Sequence, residues 1–354
     1  MTKSIFQYEL EHISNTEKYA SLLSGLYNQY IADLVELGMK SGYSDPNKPF
    51  LFSDYPRLKK KLAEISALFA KSVSINIASG MASAWAMSNT KNSDFVASVF
   101  KGRVDAENIP KKYNQQNIQA LRAFQNRKTG GLGLSDRVWN LTGQFQGEIE
   151  LLLELELLSG KSARQIATQA KQYLKEPDKL FRRVRDEKGV LRLSKNAKNY
   201  NPGRGVYRSS YQNALRLVRT EINMAYREAD FVRYNQLDFV VGFEVKRSNR
   251  FFECDICSSL KGKYPKSFKF VGWHPNCRCY SVAILCTEDE MQRLTNQIID
   301  KQEPSLQKSK NGIYSTPKEF DDYVKQNRQR ILNAKSLPYF VRDNVDFGSL
   351  KFAS

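Results

Sequence analysis

Four cysteines and one histidine crowd into a single short segment of the chain. Cys254 and Cys257 form a C-x-x-C pair, sixteen residues follow, and His274, Cys277 and Cys279 belong to the sequence His-Pro-Asn-Cys-Arg-Cys. Thiolate and imidazole are ligands that zinc prefers, and two pairs of ligands from separate turns can close a tetrahedron around one ion. The segment therefore predicts a zinc site. Buried, unligated cysteines are the alternative, because a reducing compartment disfavours disulfides.

The identity of the fourth zinc ligand stays open at this point. His274 and Cys277 repeat the two-residue gap of Cys254 and Cys257, which makes these four residues the first choice. Cys279 competes for the fourth position because it begins a predicted strand close by. Five candidate ligands leave no obvious open coordination position, and no H-x-E pattern accompanies the cysteines, so we expect structural rather than catalytic zinc.

Other catalytic signals are weak. The chain has only two histidines, and we expect the second one, His12, to lie on the surface of a polar N-terminal stretch. Part of a phosphate-binding motif is present at Gly160, Lys161 and Ser162. The motif also requires a glycine five residues before Gly160, where this chain has a leucine. Gly160 therefore reads as the end of one helix and Ser162 as the N-cap of the next. The sequence therefore predicts a protein that is not an enzyme.

The elements that position the cluster follow from hydrophobic periodicity. Helical spacing predicts a helix from near Ser14 to Gly38 and another from Asp54 or Tyr55 toward Trp85, with a polar, turn-rich stretch from Asn89 to Lys112. A break at residues 128–133 separates these from three further helices, at residues 135–158, 159–175 and 208–235. Alternating apolar residues predict strands at 239–245 and 279–285, and Cys286 is predicted to lie in the core.

These elements predict a mostly α protein, in which a helical N-terminal domain precedes a small α+β zinc-binding C-terminal module. The predicted boundaries give a helical region at residues 1–134 and a second domain at 135–286, whose zinc module spans 237–286. A helical tail follows at 287–354. No stretch is long and apolar enough to predict a signal peptide or a membrane span, so we expect synthesis in a reducing cytoplasm.

Positive charge is concentrated in the middle of the chain. The formal net charge is +18, and residues 159–235 alone hold eighteen Lys or Arg against seven Asp or Glu. Such a segment can neutralise phosphates without reading base sequence, and an acidic protein surface is the alternative partner. The candidate contact residues are Arg182, Arg183, Arg185, Lys188, Arg192, Lys195, Lys198, Arg204 and Arg208.

Four motifs in fixed order carry a family resemblance. The first motif is the R-T-E sequence of Arg219, Thr220 and Glu221 on the last long predicted helix. It is followed by the C-x-x-C pair, by an L-x-G-K motif at residues 260–263 and by H-P-N-C-R-C. This order resembles the Mu-F-type head-morphogenesis family of tailed phages over about residues 159–285. The periodicity places Val218 and Ile222 inward, so a structural role for Arg219 and Glu221 is favoured over catalysis.

The resemblance implies a non-enzymatic minor capsid protein, located inside the virion capsid near the portal after synthesis in the host cytoplasm. Its implied partners are the portal protein, the capsid and packaged DNA, with no membrane and no small-molecule substrate. It would act in head assembly, DNA packaging or ejection. The alternatives are a zinc-stabilised, non-specific DNA-binding protein outside the capsid and, less favoured because the tail is short, a phage-encoded toxin or nuclease.

Overall fold

The protein is mostly helical, with a small antiparallel sheet toward its C-terminal end. The computed structural model describes residues 3–45, 47–176, 207, 209–248, 254–334 and 337–345, and the backbone alone of 184–185 and 191–192. About 64% of the described residues are helical. The predicted fold class is therefore confirmed.

The α-helices described differ widely in length. Two exceed thirty residues, and the shortest are single turns. Their bounds are α1 Ile5–Met39, α2 Pro56–Phe100, α3 Ile118–Gln125, α4 Leu134–Glu156, α5 Ala163–Lys175, α6 Ser210–Gln236, α7 Asp255–Ser259, α8 Glu288–Ile299, α9 Lys318–Gln326, α10 Arg328–Leu332 and α11 Tyr339–Arg342. Short 3-10 helices occupy Phe52–Asp54, Ala106–Asn108 and Lys111–Asn114.

The described strands form two sheets. The short strands β1 (Val184–Arg185) and β2 (Leu191–Arg192) pair with each other. The strands β3 (Val240–Lys246), β4 (Gly262–Tyr264) and β5 (Tyr280–Leu285) form an antiparallel sheet in the order β4-β3-β5. Phe243 pairs with Tyr264 on one side and with Ala283 on the other. In the sequence, Cys254 and Cys257 lie between β3 and β4, and His274, Cys277 and Cys279 lie between β4 and β5.

The chain divides into two compact units of non-contiguous segments. Unit 1 comprises Met1–Thr16, Gly80–Asn126 and Arg219–Ser354, and unit 2 comprises Glu17–Ser79 and Arg127–Val218. The domain boundaries predicted at residues 134 and 286 stay a prediction.

Unit 2 is a helical core built around aromatic side chains. The Tyr27 ring lies 5.0 Å from that of Phe69 and 4.9 Å from that of Phe145, measured between ring centroids. Within this core the Glu148 carboxylate accepts hydrogen bonds from the backbone N–H and the hydroxyl of Ser210, at the start of α6. Burial outweighs these bonds and raises the pKa of Glu148 to about 8.

Unit 1 surrounds the small sheet with aromatic residues. Trp273 is buried and packs edge-on against Phe340 at 5.5 Å between ring centroids. Phe239 contacts Phe100 and Tyr113 in the same core. Cys286 is buried there, as predicted.

Two predicted features of the N-terminal helices are wrong. Helix α1 begins at Ile5 instead of near Ser14, because Ser4 and Gln7 cap it through reciprocal hydrogen bonds. Helix α2 continues through the predicted turn-rich stretch to Phe100. Its polar residues there, including Asn89 and Asn92, are buried and hydrogen-bonded, so tertiary pairing overrides the polar pattern.

Helix α2 is also the one helix, among the described residues, that is long and apolar enough to cross a membrane. Its most apolar stretch has a mean hydropathy of 1.2, and 44% of that stretch is buried. Core helices of soluble proteins meet the same criteria, so this is weak evidence. The predicted absence of a membrane span stays a prediction.

Candidate metal centre

The first pair of candidate ligands lies on a single helical turn. Cys254 is the N-cap of α7, and the backbone N–H of Ser258 donates to its carbonyl oxygen at 2.9 Å. Cys257 lies three residues later and is buried. Side chains three positions apart share a face of a helix. The C-x-x-C spacing therefore directs both sulfurs to the same side.

The second group of candidate ligands begins on a tight turn. The backbone N–H of Cys277 donates to the carbonyl oxygen of His274 at 3.0 Å, and Asn276 has a φ of +62°. Proline at the second position and a positive φ at the third are features of a type II turn. Pro275 and Asn276 therefore explain why the chain reverses here and presents His274 and Cys277 together.

The histidine is oriented for metal binding. Its Nδ1 lies 2.8 Å from the carbonyl oxygen of Pro275, so Nδ1 carries the proton that this bond needs. The lone pair of Nε2 then faces the two sulfurs of α7, at 3.2 Å from Cys254 Sγ and 3.1 Å from Cys257 Sγ. A hydrogen bond that fixes the tautomer through the other ring nitrogen is typical of metal-bound histidines.

All five predicted ligand residues come together. Cys254, Cys257 and His274 form one group whose ligand atoms lie within 4.8 Å of one another, and Cys257, Cys277 and Cys279 form a second. The cluster can therefore hold a metal ion. Because Cys257 belongs to both groups, its sulfur is the common point of the cluster. The geometry leaves the choice between Cys277 and Cys279 open.

The distances within the cluster are close to those of a tetrahedral zinc site. Zinc–sulfur bonds of about 2.3 Å and zinc–nitrogen bonds of about 2.0 Å imply sulfur–sulfur edges of roughly 3.8 Å and sulfur–nitrogen edges of roughly 3.5 Å. Cys257 and Cys277 are 3.8 Å apart. The two sulfur–nitrogen distances are a few tenths of an ångström shorter than the expected edge.

The sulfurs need a cation if more than one is to ionise. Hydrogen bonding to Cys277 and Cys279, together with burial, raises the pKa of Cys257 above its usual range. The same contact with Cys257 lowers the pKa of Cys277. One thiolate is therefore stabilised at the expense of its neighbours. A bound cation removes this competition because it attracts every thiolate around it.

The R-T-E sequence lies against this site. The backbone N–H of Asn276, within the His-Pro-Asn-Cys turn, donates to the hydroxyl of Thr220 at 3.3 Å. Val218 and Ile222 are buried, as predicted, and so is Glu221. Thr220 thus connects α6 to the turn that carries two candidate ligands. Sequence reasoning grouped Thr220 with its motif but did not identify this contact.

Gly272 is a further residue that sequence reasoning missed. It has a φ of +114°, and a Cβ at this position would lie 3.2 Å from Cys277 Cβ. Glycine adopts such a conformation without steric cost, whereas other residues rarely do. Its place two residues before His274 is a signal in the sequence for a turn that leads into the metal-ligand segment.

A second cluster, of buried charges, includes His12. The prediction that His12 lies on the surface is wrong, because its ring is 2% exposed and stacks on Tyr226 at 4.0 Å between centroids. Glu9 forms a bidentate ion pair with Arg227, and Lys91 contacts Asp230 at 2.6 Å. Two carboxylates and two cations thus compensate one another, which is what burial of charge requires.

This charge network controls the ionisation of its members. Burial alone would raise the pKa of Glu9, but the charge and hydrogen bonds of Arg227 lower it to about 2. Burial and the nearby Arg227 lower the pKa of His12 to about 3. His12 is therefore neutral at physiological pH. The polar N-terminal sequence gave no periodic signal of this, because its partners lie some eighty and two hundred residues away.

The predicted basic contact residues fall almost entirely outside the described residues. Only the backbone is described for Arg185 in β1 and Arg192 in β2. The other predicted residues, Arg182, Arg183, Lys188, Lys195, Lys198, Arg204 and Arg208, lie outside the described ranges. Their role in binding stays a prediction.

No family model, no curated protein and no solved structure matches this chain.

Proposed function

We propose that this protein is a minor head protein of a tailed phage, bound near the portal, in which one structural zinc ion organises the C-terminal module. The observation that carries the proposal is the convergence of the family-like motifs. The R-T-E helix touches the H-P-N-C turn through Thr220, and that turn faces the C-x-x-C turn through His274. Motifs that are fifty residues apart in sequence thus build one site.

The ligand chemistry supports zinc over other divalent ions. Soft thiolates with one imidazole in a tetrahedral arrangement are typical of zinc, whereas magnesium and calcium prefer oxygen ligands. Three of the five candidate ligands are buried, and no carboxylate is among them. We therefore assign zinc a structural role and assign the chain no catalytic step.

The L-x-G-K motif contributes to the same module. Leu260 is fully buried, and its carbonyl oxygen accepts a hydrogen bond from the Tyr264 hydroxyl at 2.8 Å. Gly262 begins β4 with a φ of +151°. The motif thus turns the chain from α7 into the sheet. All four family-like motifs support the geometry around the cysteines, which favours an assembly role over chemistry.

Co-expression with the portal protein encoded in the same genome tests the proposal. We expect a defined complex with few copies of this chain per portal ring, recovered by affinity purification and measured by native mass spectrometry. A His274→Ala variant serves as the comparison, since loss of zinc should weaken the complex. Failure of the folded, zinc-loaded chain to bind the portal protein would contradict the proposal.

A free-standing, non-specific DNA-binding protein is the second candidate, favoured by the excess charge at residues 159–235. It predicts binding of arbitrary duplex DNA that weakens steeply as salt rises. Fluorescence anisotropy from about 50 to 200 mM salt measures that slope. Tight, salt-sensitive DNA binding combined with no portal binding would select this candidate.

A further inference from the structure

The outer edge of β5 exposes backbone groups that no strand covers. Within the described residues, β5 pairs only with β3. The backbone N–H of Cys286 donates to Phe239 O, on the β3 side. Because backbone groups alternate in direction along an antiparallel strand, even-numbered residues of β5 face β3 and odd-numbered residues face outward. Ala283 therefore directs its N–H and C=O away from the sheet.

Two side-chain contacts agree with this direction and mark the ends of the open edge. The Tyr234 hydroxyl donates to Ser281 O at 3.5 Å, and Asn311 Nδ2 donates to Leu285 O at 3.1 Å. Both acceptors are odd-numbered, as the alternation requires. The carbonyl groups at the two ends are thus bonded, while both backbone groups of Ala283 between them have no partner in the described chain.

A cavity of about 310 Å³ lies along this open edge. Its lining combines β5 residues with apolar side chains such as Ile5 and Phe95. All of its lining residues belong to unit 1. A cavity that runs beside unpaired strand groups has the form that an added strand needs, because the strand supplies backbone bonds and its side chains enter the cavity.

The charges of the cavity favour a basic occupant. Asp94 lines it, is exposed, and accepts a hydrogen bond from the Tyr8 hydroxyl, with no Lys or Arg within ion-pair distance in the described chain. The two lysines of the lining are already paired. Lys3 contacts Glu11 at 2.8 Å, and Lys91 contacts Asp230 at 2.6 Å. A cation on the occupant would complement Asp94, whereas a phosphate would be repelled.

We propose that the outer edge of β5 binds an extended segment of a partner polypeptide by strand addition, with a Lys or Arg of that segment against Asp94. The backbone of Ala283 supplies one donor and one acceptor to the incoming strand. This surface is independent of the metal cluster and of the proposed role at the portal. The carboxylate of Asp94 favours an extended, basic peptide over a nucleic acid as the occupant.

Fluorescence anisotropy with a short labelled peptide tests the proposal. The probe alternates threonine with valine around a central lysine, and its matched control carries N-methyl groups on alternate backbone amides. We expect the zinc-loaded full chain to bind the first peptide and to bind the second at least about tenfold more weakly, a difference of about 1.4 kcal/mol. Equal binding of both peptides, or binding of neither, would overturn strand addition.

Two protein variants locate the contact. Ala283→Pro removes the outward N–H, a change that an edge strand tolerates, and should weaken peptide binding, whereas Ala283→Ser should not. Asp94→Asn should remove the preference for lysine over glutamine in the peptide. If the Ala283→Pro variant does not fold, hydrogen exchange of the backbone amides in the wild-type chain tests the proposal instead. Slower exchange at Ala283 on peptide addition supports the proposal, and unchanged exchange there, or displacement of the peptide by duplex DNA, overturns it.

Discussion

Acidification should destabilise unit 1 through His12. This ring is buried, its Nδ1 has no hydrogen-bond partner in the described chain, and its surroundings include the cations Arg227 and Lys91. Its pKa is lowered to about 3 in the folded protein, whereas an unfolded histidine titrates near 6.5. The unfolded chain therefore gains a proton first as the pH falls. Stability is intact above about pH 6.5 and declines toward pH 3.

The size of this effect follows from proton linkage. With the folded ring still neutral, the loss at pH 5 is the free energy of protonating the unfolded histidine, about 2 kcal/mol relative to pH 7.5. The result depends little on the folded pKa, provided that it stays well below 5. Glu9, whose pKa is lowered to about 2, begins to contribute only as the pH approaches the ordinary carboxyl range.

Urea unfolding at pH 7.5 and pH 5 measures the effect. Trp85 and Trp273 are buried in the same unit as His12 and report its unfolding by fluorescence. A His12→Gln variant, kept saturated with zinc, is the matched control, because other titrating groups then cancel in the comparison. We expect the wild type to lose about 2 kcal/mol more than the variant between these pH values. Parallel losses in both proteins would refute the buried, neutral histidine.

Three further predictions concern unit 2 and the metal site. Glu148→Gln should stabilise unit 2 by a few kcal/mol at pH 8 and have little effect at pH 5. The reason is that the raised pKa of Glu148 makes the free energy of unfolding fall as the pH rises from about 4.5 to about 8. A difference in urea midpoints that does not change with pH would contradict this. Gly272→Ala should strain the approach to Cys277 and lower zinc affinity measured by chelator competition, so an unchanged affinity would argue against that turn geometry. Cys277→Ser and Cys279→Ser should differ in zinc content, and the variant that retains a full equivalent of zinc identifies the sulfur that is not the fourth ligand.

The sequence predicted the elements whose periodicity is local. Helix α6 and strands β3 and β5 lie within a few residues of their predicted positions, because apolar spacing marks one buried face. Ser162 caps α5 through a reciprocal bond with Gln165, as the pattern indicated. The five candidate metal ligands are also brought together, since two short turns need only a compact fold to meet.

The features that the sequence did not predict depend on distant partners. Asn89 and Asn92 looked like turn residues, but their side-chain amides donate hydrogen bonds to the carbonyl oxygen of Gln116 and to the Asp230 carboxylate, so the helix continues through them. His12 looked exposed until Tyr226 and Asn223 supplied a stacking surface and a hydrogen bond. Local composition carries no information about such pairs. The β5 cavity likewise arises only when the starts of α1 and β5 meet.

Native mass spectrometry of the purified chain tests the assignment of a structural zinc ion most directly. We expect one zinc ion per wild-type chain and none in a variant that combines Cys254→Ser with His274→Ala. The circular dichroism of that variant should still show the helices of unit 2. The mass should also show that thiol protons are displaced on binding. A folded wild-type chain that remains free of metal in excess zinc, or one that loses no zinc on substitution of both ligands, would contradict the assignment.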